Sequence, residues 1–139
     1  VATQTKFNCF TEDIGREIHQ LDSDTLKVML TNVLPVVGNT VKANITEIAA
    51  GNGYTAGGAT IGATDYTQTG GQGRLTGSNV TITASGGTIG PFRYAVIYNS
   101  TPAAGNLISF VDNGSSITLN SGENFLVDVT TNSPFITVG

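Results

Sequence analysis

His19 is the one histidine of the chain, and it stands in an acidic segment that holds Glu12, Asp13, Glu17, Asp22 and Asp24. A serine nucleophile needs a histidine base that a carboxylate orients. Asp22 or Asp24 is at hand for that role, but any chain this rich in serine offers such a triple, so the spacing selects no nucleophile. The expectation is a structural histidine, on the surface or half buried. Zinc calls for several His or Cys ligands at set spacing, and one of each, Cys9 and His19, does not supply them. As the only cysteine, Cys9 cannot close an internal disulfide; it reads as a small buried apolar group.

Three further stretches invite a chemical reading. Gly51-Asn52-Gly53-Tyr54-Thr55-Ala56-Gly57-Gly58 has the glycines of a phosphate cradle, yet no Lys-Ser or Lys-Thr follows and no strong strand precedes it. A loop that returns the chain to a sheet is expected instead. Asp112-Asn113-Gly114 brings one carboxylate and several carbonyls, without the repeated acidic ligands of a calcium loop. Tyr54 and Tyr66 stand outside the most aromatic strand and are candidates to stack on a sugar ring; the alternative is that each anchors a loop. A glycosidase would need two carboxylates facing one cleft, and no pair is marked out. The sequons at Asn44, Asn79, Asn99 and Asn113 are expected by chance in a chain so full of Asn, Ser and Thr. No catalytic residue, cofactor or metal is expected.

Composition narrows the partners. The formal net charge is −4 and the six basic residues, Lys6, Arg16, Lys27, Lys42, Arg74 and Arg93, are scattered, so nothing offers a stripe to a phosphate backbone. Direct nucleic-acid binding is not expected. No apolar run reaches the roughly 18 residues of a membrane span, and no leader-like segment opens the chain. Charged residues make up only 12%, about half the usual share, so Thr, Ser, Asn and Gly carry solubility. Eighteen glycines suit tight turns better than helices.

The elements follow from periodicity. Gly86-Gly87-Thr88-Ile89-Gly90-Pro91 leads into Phe92-Arg93-Tyr94-Ala95-Val96-Ile97-Tyr98, which predicts a central strand covered on both faces. Alternation puts Phe92, Tyr94, Val96 and Tyr98 on one face, with Arg93, Ala95 and Ile97 on the other. Leu26, Val28 and Leu30 mark a second core strand over 25–31. Phe7, Phe10, Ile14, Ile18 and Leu21 recur at helical spacing, although Gly15 weakens the pattern and an irregular segment pinned by its phenylalanines is the alternative. Asn32 to Gly38, with Pro35, reads as a loop or kinked extension. Val41, Ile45 and Ile48 predict a second short helix capped by Asn39 or Thr40. Strands are predicted near 58–67, 73–76, 79–84, 106–111, 116–119, 124–130 and 134–138. Asp112-Asn113-Gly114 and Asn120-Ser121-Gly122 read as hairpin turns.

These segments predict a mainly β, single-domain sandwich of about eight strands with one or two short helices. A jelly roll is preferred, since it closes its edges; an immunoglobulin-like sandwich is second and lacks the Cys, Trp, Cys spacing. Residues 1–9 and 134–139 read as extended arms.

Three blocks carry a resemblance: 24–32 (DTLKVMLTN), 45–58 (ITEIAAGNGYTAGG) and 90–99 (GPFRYAVIYN). In length and block order they resemble a family of small structural proteins of tailed bacteriophages, among them capsid cement or decoration proteins of the Bordetella phage type. That resemblance implies a non-enzymatic virion component on the outer capsid surface, assembled in the bacterial host cytoplasm. It would clamp a shell of HK97-fold major capsid proteins and pair with itself as a dimer or trimer. The arms would supply the contacts, with Val1, Thr3, Thr5, Phe7, Phe135, Ile136 and Val138 as candidate interface residues. A tail- or fibre-associated module that binds a receptor or glycan is the alternative.

Overall fold

The structure is a computed structural model of the chain, and it describes residues 3–127 and 136–138. In chain order the elements are β1 (Thr3–Lys6), α1 (Cys9–Gly15), β2 (Leu26–Thr31), a single 3-10 turn (Lys42–Asn44), β3 (Ala59–Thr60), β4 (Asp65–Thr69), β5 (Gln72–Thr76), β6 (Val80–Thr83), β7 (Ile89–Asn99), β8 (Leu107–Leu119), β9 (Asn124–Val127) and β10 (Ile136–Val138). The strands pair antiparallel throughout. Five form one sheet in the order β1-β8-β7-β2-β3; β10-β5-β4 and β6-β9 are two smaller sheets. This is the expected mainly β sandwich, with a strand distribution that differs from the two sheets of four strands that a jelly roll implies.

Strand β7 is central, as its composition predicts, and hydrogen-bonded on both sides. Leu26, Val28 and Leu30 of β2 join Ala95 and Ile97 in the main core, where Leu75, Val80, Ile82, Val127 and Ile136 of the smaller sheets meet them. The opposite face buries Phe7, Met29, Tyr94, Val96, Tyr98, Leu107 and Phe110, with Cys9 and Ile45 against them. All seven candidate core residues are buried.

Phe92 lies on the other side from its expected partners. It packs in the main core, edge-on to Phe125 at 5.0 Å, whereas Tyr94, Val96 and Tyr98 share the second cluster. The cause is a bulge. Phe92 pairs with Ile117 and Tyr94 with Asp112, so four β8 residues, 113–116, stand opposite Arg93 alone, and strict alternation is interrupted there. The same bulge absorbs Asp112-Asn113-Gly114, which is no hairpin: β8 runs through it as one strand. Asn120-Ser121-Gly122 does turn the chain, but from β8 to β9 in a different sheet. The tight hairpin lies at Gly70-Gly71 between β4 and β5, where both residues have positive φ, 61° and 84°.

The helices are fewer and shorter than the periodicity predicts. α1 stops at Gly15, and Glu17 takes a positive φ of 62°, so Ile18 and Leu21 belong to an irregular segment. Phe10 and Leu21 still reach the main core. Over 41–48 only one 3-10 turn forms, because the backbone there is engaged with the ends of the sheet. Lys42 N–H donates to the Gly105 carbonyl, Leu107 N–H to Thr40, and Ile48 N–H to Leu30. Asn44 Oδ1 accepts from the N–H groups of Thr40 and Val41.

Gly58 marks the tightest approach of loop to sheet. Its φ is +83°, and a Cβ there would lie 1.8 Å from the Val28 carbonyl oxygen. Gly58→Ala is expected to destabilise the domain by about 2–4 kcal/mol through strain and overpacking, read as a lower urea midpoint. Val96→Asp, which would put a carboxylate at a fully buried position, is expected to abolish the cooperative transition; a well-folded variant would show that β7 has a solvent face.

Candidate functional site

The groups singled out for chemistry are held in structural contacts. In the glycine-rich loop four amides are already used: Gly51 and Tyr54 exchange backbone bonds of 2.8 and 3.0 Å, Gly58 N–H donates to the Thr55 carbonyl, and Gly57 N–H donates to Glu47 Oε2 at 2.7 Å. None of these amides is left to meet an anion. Tyr54 is buried. Its hydroxyl donates to Glu47 Oε2 and accepts from Leu30 N–H at 2.9 Å, and burial, followed by the Glu47 contact, raises its pKa. Tyr98 ties down the same loop by donating to the Gly57 carbonyl at 2.6 Å. Tyr66 lies half-buried across β5, its hydroxyl where a Gly73 Cβ would stand. Tyr54 anchors a loop, Tyr66 packs across the β4–β5 pair, and neither is an exposed sugar platform.

Asp112 pairs with Arg93. Nε donates to Oδ1 at 2.8 Å and Nη2 to Oδ2 at 3.2 Å, and Oδ1 also accepts Gly114 N–H at 2.8 Å. The pair spans the β7–β8 bulge, and the Arg93 hydrogen bonds, then that of Gly114, hold the Asp112 carboxyl below its ordinary range. Arg93 therefore meets a half-exposed carboxylate of its own sheet. Among the described residues no group of three His, Cys, Asp or Glu side chains is placed to hold a metal ion, and no helix is long and apolar enough to cross a membrane.

His19 is buried, unlike the half-exposed residue the sequence allows. Its side chain is fully enclosed against Phe10, with ring centroids 5.4 Å apart. Nδ1 accepts from Asn99 Nδ2 at 3.0 Å. The Asn99 amide is oriented by two other bonds, Oδ1 accepting Thr101 N–H and Nδ2 donating to Asp24 Oδ2. Nε2 therefore carries the proton of the neutral ring, and it is the buried side-chain polar atom left without a hydrogen bond among the described residues. Asp13 Oδ2 lies 3.9 Å away and accepts from Asn106 Nδ2 at 3.2 Å. Burial lowers the His19 pKa from its ordinary value, with Asp13 and Asp24 opposing. Cys9, half-buried, donates to the Asn39 carbonyl at 3.6 Å, and burial followed by Asp13 pushes its pKa up to about 11.

The expected arms are partly built into the body. Thr3–Lys6 pairs with β8 and Thr5 is half-buried. Phe7 is fully buried, 5.3 Å from the Phe110 ring, so it is a core residue and no free contact. Ile136 is also buried, and it pairs with Leu75. The Val138 backbone pairs with Gly73; Val1 and Phe135 lie outside the described residues. Backbone pairing holds them in, because an extended segment beside a sheet edge satisfies its own N–H and C=O groups there.

The exposed apolar surface is elsewhere. Val33, Leu34, Val36 and Val37 are 55%, 61%, 61% and 41% exposed, all in the loop between β2 and the 3-10 turn. Pro35 in their midst is buried. The loop is held in shape: Val33 N–H donates to Thr31 Oγ1, Val36 N–H to Asn39 Oδ1, and Asn8 N–H to the Val37 carbonyl. Sequence reasoning gave this stretch no role. Its signal is there in four large aliphatics around a proline, with neither strand nor helix spacing to bury them.

No family model, curated protein or solved structure matches the chain.

Tyr54→Phe removes the group that serves both Leu30 N–H and Glu47. It is expected to destabilise the domain by about 1–3 kcal/mol with the fold retained, measured by urea unfolding.

Proposed function

We propose that the chain is a non-enzymatic virion structural protein, a capsid cement or decoration protein that binds the outer face of a phage capsid shell. Its partners would be the major capsid protein and further copies of itself. The observation that supports this best is the preorganised apolar loop 33–37 on a body whose central strand is covered on both faces from Tyr94 to Asn99. A monomer that leaves four neighbouring aliphatic side chains in water, and fixes the backbone beneath them, has the makings of a protein contact. Holding the loop in place beforehand reduces the ordering cost of binding.

The loop alone falls well short of the roughly 800 Å² per partner that a stable interface buries. It suits a contact repeated many times in a lattice, where linked weak sites hold by avidity. The resemblance of the three sequence blocks to small phage structural proteins points the same way, as does a surface with few charges. With Tyr54 buried and Tyr66 half-buried, no observation favours the glycan-binding alternative.

In virions purified from the phage that encodes the chain, its ratio to the major capsid protein is expected near one. A small fraction would place it in the tail, and absence would overturn the virion reading. Leu34→Ser with Val36→Ser is expected to shift stability by no more than about 0.5 kcal/mol per site while lowering capsid occupancy; unchanged occupancy would exclude the loop as the contact.

A further inference from the structure

The His19 pocket joins three parts of the fold. Asp13 belongs to α1, His19 and Asp24 to the irregular segment before β2, and Asn99 and Asn106 to the two ends of the β7–β8 connection. The charged groups facing the imidazole are Asp13 and Asp24; its other neighbours are the Phe10 ring and the Asn99 amide. α1 in turn supports the apolar loop, since Asn8 N–H donates to the Val37 carbonyl at 2.9 Å and Cys9 Sγ to the Asn39 carbonyl.

We infer that the His19–Asn99 contact is an acid-sensitive latch, which holds segment 8–24 and through it the loop 33–37 while His19 is neutral and releases them when it is protonated. A proton arriving at Nδ1 faces the Asn99 NH2 group, so donor meets donor at 3.0 Å. Asn99 can answer only by turning over, which forfeits its bonds to Thr101 N–H and Asp24, or the ring must leave its pocket. Nε2–H is drawn toward Asp13 at the same time, and Asp13 is already shared with Asn106. Either movement breaks the tie between the segment that follows α1 and the end of β7.

The sign follows from linkage. Burial lowers the folded-state pKa below the ordinary 6.5, so between the two values the opened state binds more protons, and stability is lost as pH falls from about 6.5. The other groups with displaced pKa values stay out of this window: Cys9 is pushed up to about 11, Tyr54, Tyr98 and Arg93 are raised from ordinary values that are already high, and Asp112 is held below its ordinary 3.8. The consequence for the loop as a contact rests on the proposed function; the latch itself does not, and its test uses the isolated chain.

Hydrogen exchange of the Asn8 amide, corrected for intrinsic rate, is expected to lose protection at least tenfold between pH 7.5 and 5.5, while the Val96 amide changes less. His19→Asn keeps an acceptor near the Nδ1 position without the titration, and should abolish that difference. Constant protection in the unmodified chain, or the same loss in the variant, would overturn the latch. Should the variant not fold, the imidazole resonance of the sole histidine decides the matter. A midpoint below 6.5, shared by the Asn99 side-chain NH2, is expected; a midpoint at or above 6.5, or an Asn99 signal indifferent to it, would overturn the inference. Either negative result leaves the contact role of the loop standing, since that is read from the capsid occupancy of the Leu34→Ser, Val36→Ser variant.

Discussion

From Tyr94 to Asn99 strand β7 has no face left for water, and that one constraint organises the molecule. Bulky side chains leave it in both directions, so apolar material has to arrive on both sides. Leu75, Val80, Ile82 and Val127 come from strands in the two smaller sheets. Phe7, with Cys9 and Ile45 beside it, comes from segments that are not in those sheets. Phe7 is therefore drawn inward, and β1 with it onto the free edge of β8. Glycine at position 58 follows from the same demand, because only a residue without Cβ lets the loop come down on β2.

Where side chains cannot cover, polar groups close the gap. Tyr54 and Glu47 bind the glycine-rich loop to the Leu30 amide, and Tyr98 binds it from below through the Gly57 carbonyl. At the far end of β7, Asn99 gathers Asp24, His19 and the Thr101 amide. Each contact satisfies a buried or half-buried group that would otherwise be costly. Together they fix the covering segments and leave the apolar loop 33–37, with Leu126 of β9 apart from it, as the described residues whose large apolar side chains are not folded inward. A rigid body with one uncovered apolar loop is the physical content of the proposed lattice role.

Much of this was legible from spacing. The alternation of Leu26, Val28 and Leu30 and the aromatic run from Phe92 to Tyr98 are local patterns, and local patterns decide which residues leave water. Helical spacing at Val41, Ile45 and Ile48 is just as local and misled, because Gly105, Leu107 and Leu30 offered that backbone partners across the fold. Asp112-Asn113-Gly114 has the composition of a hairpin turn, but β7 pairs on either side of it and converts it into a bulge.

The candidate site shows the limit more sharply. The acidic segment around His19 is visible in the sequence, whereas its partner Asn99 stands 80 residues away and nothing near either residue announces the other. Loop 33–37 was readable as apolar, not as exposed, since exposure depends on whether another segment covers it. The sequence by itself determined the class of fold, the central strand and the core residues, because hydrophobic periodicity acts within a few neighbours. Tertiary structure alone decided that Phe92 changes face, that Phe7 and Ile136 are buried, that His19 is enclosed with an unpaired nitrogen, and which apolar residues remain outside. Those outcomes depend on contacts between distant segments, and the energy of such contacts is not written in either segment alone.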